Sequence, residues 1–131
     1  MPFLVRWPAR IKPGVSSALV SQIDFVASFA ELLGIELKDG EARDSRSTLP
    51  AFLGESEEGV PFTLEEAGWQ VAIRSGNWKF IPGQKKKIAQ LYDLSKDIGE
   101  QNNVGSEYPE VAKRLGAQLS ALRKGKGLRN D

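Results

Sequence analysis

The spacing of apolar and polar positions changes along the chain, and each change marks an element. "PFLVRWP" (2–8) is an unbroken apolar run between prolines. Such a run predicts a strand buried on both faces, since a half-exposed strand would alternate. "PARIKPG" (8–14) reads as a loop from its prolines and glycine. A helical period then begins over "SQIDFVASFAELLG" (21–34). Ile23, Val26, Phe29, Ala30 and Leu33 fall on one stripe, which Phe25 and Leu32 widen. Ser21 followed by Asp24 fits a capping box at the helix start, and Gly34 supplies its stop. "IELKDGEARDSRS" (35–47) is polar and turn-rich, as a surface loop is. "TLPAFLGE" (48–55) predicts one short helical turn, with Pro50 tolerated near its start and Gly54 ending it. "SEEGVPF" (56–62) reads as a linker.

From residue 63 the period is two. "TLEEAGWQVAIRSGNWKFIPGQKKKIAQLYDL" (63–94) reads as three or four short strands. Val71, Ile73, Trp78 and Phe80 share one face, with Gln70, Arg74 and Lys79 on the other. Within it, "AIRSGNWKFI" (72–81) is a hairpin too short to hold itself together in water. "SKDIGEQNN" (95–103) is turn material. The helical period returns in "SEYPEVAKRLGAQLSALRK" (106–124), where Tyr108, Val111, Leu115, Leu119 and Leu122 form a stripe and Pro109 suits the first turn. Gly116 weakens this helix by about 1 kcal/mol relative to Ala. "GKGLRND" (125–131) reads as a frayed tail. The expected class is α+β. Residues 63–124 form a small antiparallel sheet packed with a C-terminal helix; residues 1–55 form a strand–helix unit suited to the edge of an α/β layer.

Composition acts mainly by exclusion. The chain of 131 residues has no Cys and no His. A zinc site, a Ser-His-Asp triad, a Cys nucleophile and a histidine general base are therefore excluded. A net charge of +1 gives no reason to expect a nucleic-acid or membrane partner. No run approaches the roughly 18 apolar residues of a transmembrane helix. "MPFLVRWPARIKPG" lacks the apolar core of a signal peptide and opens almost inside a strand, a first hint of a fragment.

The remaining polar clusters favour structural readings. Lys85, Lys86 and Lys87 read as a solvated loop tip, and Arg123, Lys124, Lys126 and Arg129 as complements to the last helix dipole. Asp93, Asp97 and Glu100 lack the alternating ligands and central glycine of a calcium loop, so they read as turn-capping carboxylates. Glu65 and Glu66, adjacent on a strand, point to opposite faces, which argues against a shared acid/base site. Two of Trp7, Trp69 and Trp78 read as core or interface filler rather than as stacking platforms for a sugar.

Taken in order, "PFLVRWPARIKPG", "VSQIDFVASFAELLGIEL", "LPAFLGE", "AIRSGNWKFI" and "QLYDLSKDIGEQNN" resemble the C-terminal end of formylglycine-dependent sulfatases, arylsulfatase-like members of the alkaline-phosphatase superfamily. The resemblance covers nearly the whole chain. It implies a large α/β catalytic domain, to whose end residues 1–55 would belong, and a smaller subdomain of four antiparallel strands with a helix, residues 63–124. It also implies a sulfuric ester hydrolase as the parent, using calcium and a formylglycine made within a C/S-x-P-x-R motif. Those groups lie upstream of the matched segments. "RWPAR" keeps Pro8 and Arg10 but has Arg6 at the nucleophile position, so no catalytic, metal or cofactor-binding residue transfers to this chain.

In many members the stretch before the hairpin reaches toward the substrate. Here it is "TLEEAGWQ", and Glu65, Glu66 and Trp69 are the candidates for a substrate-cleft wall. The implied partner is the missing N-terminal catalytic domain. Without it, residues 2–8 and 23–33 would expose apolar surface and favour self-association. Members of the family are mostly periplasmic, secreted or lysosomal, while a chain without cysteine leaves its own compartment undetermined. The alternative is a free-standing small α+β binding or adaptor domain of sulfatase ancestry, in keeping with the chain's length and its initial Met.

Overall fold

The computed structural model describes residues 3–67, 70–84 and 87–124. The chain divides into two units, Met1–Val60 and Pro61–Asp131. The expected tail 125–131, with Lys126 and Arg129, lies outside the described residues, as do Trp69, Lys85 and Lys86.

In the first unit the expected helix opens as a 3₁₀ turn, Gln22–Asp24, and continues as α1, Phe25–Leu33. Gly34 ends it at φ 67°, donating its N–H to the Ala30 and Glu31 carbonyls. The capping box does not form. The Ser21 hydroxyl accepts from the Ile23 N–H at 3.4 Å, and the Asp24 N–H donates to the Ser21 carbonyl at 3.1 Å. Asp24 is fully buried and accepts the Arg46 N–H at 3.0 Å, because the loop that follows lies along this side of the helix. Two more bonds fasten that loop. Ser45 Oγ accepts from the Ala27 N–H at 3.0 Å, and Ser28 Oγ from the Thr48 N–H at 2.9 Å.

The buried side of α1 thus carries Ser28 and Ala30, while most of the apolar stripe faces outward. Ile23, Val26, Phe29 and Leu33 are 44–69% exposed.

The strand expected over 2–8 is corrected: residues 3–7 form no strand and are exposed. A strand buried on both faces needs neighbours to pair with, and the described residues of this unit include none. The chain instead turns at Trp7, whose carbonyl accepts the Arg10 and Ile11 N–H groups. The short helical turn appears as α2, Leu49–Phe52, with Pro50 in its first turn, and Leu49, Ala51, Phe52 and Leu53 are buried. Residues 59–60 are more than a linker. The Val60 N–H donates to the Leu19 carbonyl at 2.7 Å, and a Cβ on Gly59 would sit 2.0 Å from that oxygen.

The second unit is a four-stranded antiparallel sheet in the order β1-β2-β3-β4. Its strands are β1 Thr63–Ala67, β2 Gln70–Ser75, β3 Trp78–Ile81 and β4 Gln90–Asp93. The register places Leu64 opposite Ile73, Ile73 opposite Phe80, and Phe80 opposite Leu91. Helix α3, Pro109–Lys124, supplies Leu115 and Leu119, which join Ile73, Phe80 and Leu91 in the core. Val71, Trp78, Val111 and Leu122 pack around it as the spacing predicted. Tyr108 stays 40% exposed, its ring 5.0 Å from that of Trp78. The hairpin of residues 72–81, formed by β2 and β3, therefore rests on α3.

Candidate functional site

The sheet face away from α3 gathers the charges. Alternation puts Glu65 on this face opposite Ala72, and Lys79 opposite both Arg74 and Tyr92. Lys79 Nζ lies 2.8 Å from Glu65 Oε2 and 2.6 Å from Glu100 Oε1, with its side chain 15% exposed. Burial pushes the Lys79 ammonium toward a lower pKa. Hydrogen bonds to Glu100 and Glu65, with their negative charges, outweigh that and leave it above the ordinary lysine value. A lysine held protonated in this way is an ion-pair centre and not a general base.

Glu100 reaches Lys79 from a series of turns after β4, and it does so at φ 55°, an uncommon left-handed conformation for a residue with a Cβ. The turns are fixed by carboxylates. Asp97 accepts the Gln101 N–H at 3.0 Å and the Asn102 N–H at 2.7 Å, and these bonds hold its pKa below the usual carboxylate value. Asp93 accepts the Ser95 hydroxyl at 2.5 Å and the Ser95 N–H at 3.1 Å, with its pKa lowered chiefly by the hydroxyl. Asp93 and Asp97 are thus the turn-capping carboxylates expected of them. Glu100 departs from that reading, since its carboxylate pairs across the sheet with Lys79.

Of the three cleft-wall candidates, Glu65 joins the Lys79 cluster. Glu66 stands opposite Val71 on the other face and is exposed. Trp69 lies outside the described residues. Sequence reasoning placed Lys79 on the polar face but missed its partners. Glu65 on β1 and Lys79 on β3 share a sheet face but flank β2, so no cross-strand pairing in the sequence signalled their contact.

The first unit carries a different feature, an apolar cleft of about 320 Å³ lined among others by Phe3, Trp7, Phe25, Phe29, Leu49 and Phe52. The Phe25 ring lies 5.4 Å from Phe52 and 5.6 Å from both Phe3 and Phe29. At its rim the Arg10 guanidinium sits 5.6 Å from the Trp7 ring and bonds Glu55 at 3.4 Å. Such a lining can take up apolar surface but offers no group for proton or group transfer.

No family model matches the chain. Individual proteins do. The N-acetylgalactosamine-6-O-sulfatase of Bacteroides thetaiotaomicron is 37% identical over 138 residues, covering 94% of this chain and 27% of that protein. Human arylsulfatase A is 29% identical over 153 residues, covering 93% of this chain and 30% of its own length. A solved structure from work on glycosaminoglycan metabolism by Bacteroides thetaiotaomicron superposes with a TM-score of 0.83 at 36% identity, over 95% of this chain and 29% of that one. A protein solved with its substrate D-glucosamine-2-N,6-O-disulfate shares the fold, with a TM-score of 0.66 at 24% identity, over 91% of this chain and 27% of its own. The chain spans less than a third of the length of these relatives. Sequence and fold agree with sulfatases over nearly all of this chain's residues, and the chain resembles the C-terminal region of that family.

Proposed function

We propose that this chain is the structural, C-terminal part of a sulfuric ester hydrolase, that the β1–β2 stretch walls one side of its substrate cleft, and that the chain is inactive alone. The observation that carries this reading is 37% identity to a sulfatase along 94% of the chain. The chemistry of the donor set supports it. Among the described residues no three His, Cys, Asp or Glu side chains gather to hold a metal ion. Asp93, Asp97, Glu65 and Glu100 already have hydrogen-bond or ion-pair partners. The residues present do not fit calcium, and no Cys or Ser opens a C/S-x-P-x-R motif in this chain, the partial match "RWPAR" having Arg6 at its first position. Both groups belong to the catalytic domain, the partner against which this chain would be completed.

One relative is named an N-acetylgalactosamine-6-O-sulfatase, so the substrate class proposed for the parent is a 6-O-sulfated amino sugar. The purified chain, supplied with calcium and either an aryl sulfate or 6-sulfated N-acetylgalactosamine, releases no sulfate; release above the blank overturns the reading. In the full-length parent, Trp69→Ala lowers kcat/KM, and an unchanged value removes Trp69 from the cleft wall.

A further inference from the structure

We infer that residues 94–103 form an acid-released latch over the outer edge of β4. Leu91 shows why the edge needs closing. Its side chain is fully buried, yet its N–H is accepted by the side chain of Asn103 at 3.0 Å and by no strand. Asn103 also donates to the Ala89 carbonyl at 3.2 Å and accepts the Gly105 N–H at 3.0 Å, and with the Val104 N–H, which donates to the Leu91 carbonyl at 2.9 Å, it closes this stretch of edge. The position of Asn103 depends on the turns before it, where backbone bonds from Lys96 and Asp97 to the Asp93 carbonyl and from Glu100 to the Asp97 carbonyl are joined by bonds to anions. Asp93 fastens Ser95, Asp97 fastens the Gln101 and Asn102 N–H groups, and Glu100 ties the loop to the sheet through Lys79.

An ionised carboxylate accepts such bonds far better than a protonated one. Asp93 and Asp97, whose pKa values are lowered in the fold, contribute stability that is present above the unfolded value and lost as pH falls through the folded one. The left-handed backbone of Glu100 adds strain that persists only while the surroundings hold it.

The groups facing the latch are Lys79 on β3 and Glu65 on β1, with Arg74 on β2 and Tyr92 on β4 sharing that sheet face. Lys96 lies within the loop, 3.6 Å from Asp93, and Glu107 in the turn after it. The cations among them, Lys79, Arg74 and Lys96, have no lone pair to accept the amide protons that the carboxylates now hold. The core behind the latch is apolar: Ile73, Phe80, Leu91, Leu115 and Leu119 contain no titrating group. Acid therefore opens the loop before it opens the sheet.

Amide hydrogen exchange on the whole chain tests this, with protection computed against the intrinsic rate at each pH. Between pH 7 and pH 3 the Leu91, Gln101 and Asn102 amides lose about tenfold or more in protection, while Ile73 and Leu119 change less than about twofold. Asp97→Asn reproduces the loss at pH 7, and Glu100→Gln does so to a smaller extent. Loop and core amides losing protection together, or a loop unchanged by both acid and Asp97→Asn, overturns the inference.

Discussion

Two glycines show how differently a missing side chain can matter. A Cβ on Gly116 would lie 3.4 Å from the Phe80 ring, an ordinary contact, so the helix carries a glycine that nothing around it demands. Gly116→Ala should raise the stability of the second unit by about 1 kcal/mol in urea unfolding, through lower backbone entropy in the unfolded chain. Gly59 is the reverse case. A Cβ there would meet the Leu19 carbonyl at 2.0 Å, and that backbone cannot retreat without losing the Val60 bond. Gly59→Ala should lower the melting temperature of the first unit by several degrees. The sequence already marks Gly116 as a weak point of its helix, whereas nothing in it singles out Gly59.

Among elements, α1 shows both what a pattern reveals and what it conceals. The 3.6-residue period and the Gly34 stop located the helix within a residue or two. The period could not say which side would be covered, because amphipathicity marks the apolar stripe without naming its partner. In this chain the loop 45–48 grips the narrow polar side through Asp24 and Ser28. Ser28→Ala would leave the buried Thr48 N–H without an acceptor and should cost about 1–3 kcal/mol, read as a lower thermal midpoint of the first unit.

The hairpin and α3 were legible because their apolar positions meet each other within the second unit. The run "PFLVRWP" misled because its apolar character implied burial, and burial of that kind needs neighbours outside the described residues. The Lys79 cluster was illegible for another reason: residues 65, 79 and 100 are joined by the sheet and by a turn, not by any local spacing. It also sets an alkaline limit. A lysine raised by its partners contributes stability that is full below the unfolded value of 10.5 and lost as pH rises through the folded one. Melts of the wild type should therefore weaken above that range, and Lys79→Gln should flatten this limb.

At the scale of the whole molecule, the balance of exposed apolar surface is uneven. Phe3, Leu4, Val5, Trp7, Ile23, Val26, Phe29 and Leu33 are all at least 40% exposed, and all belong to the first unit. Sedimentation velocity of the isolated chain should show association that grows with concentration, and Val26→Glu combined with Leu33→Glu should suppress it. Unchanged sedimentation across the accessible range would mean that this surface does not drive association. The sheet of the second unit adds a constraint on how any assembly could grow. Its β4 margin is closed at Leu91 by the Asn103 side chain, whereas β1 has no backbone partner beyond β2 among the described residues. In the language of polymer chemistry the described sheet is monofunctional in strand pairing: two copies joined edge to edge through β1 would terminate each other, and a longer sheet would have to wait for the second edge to open.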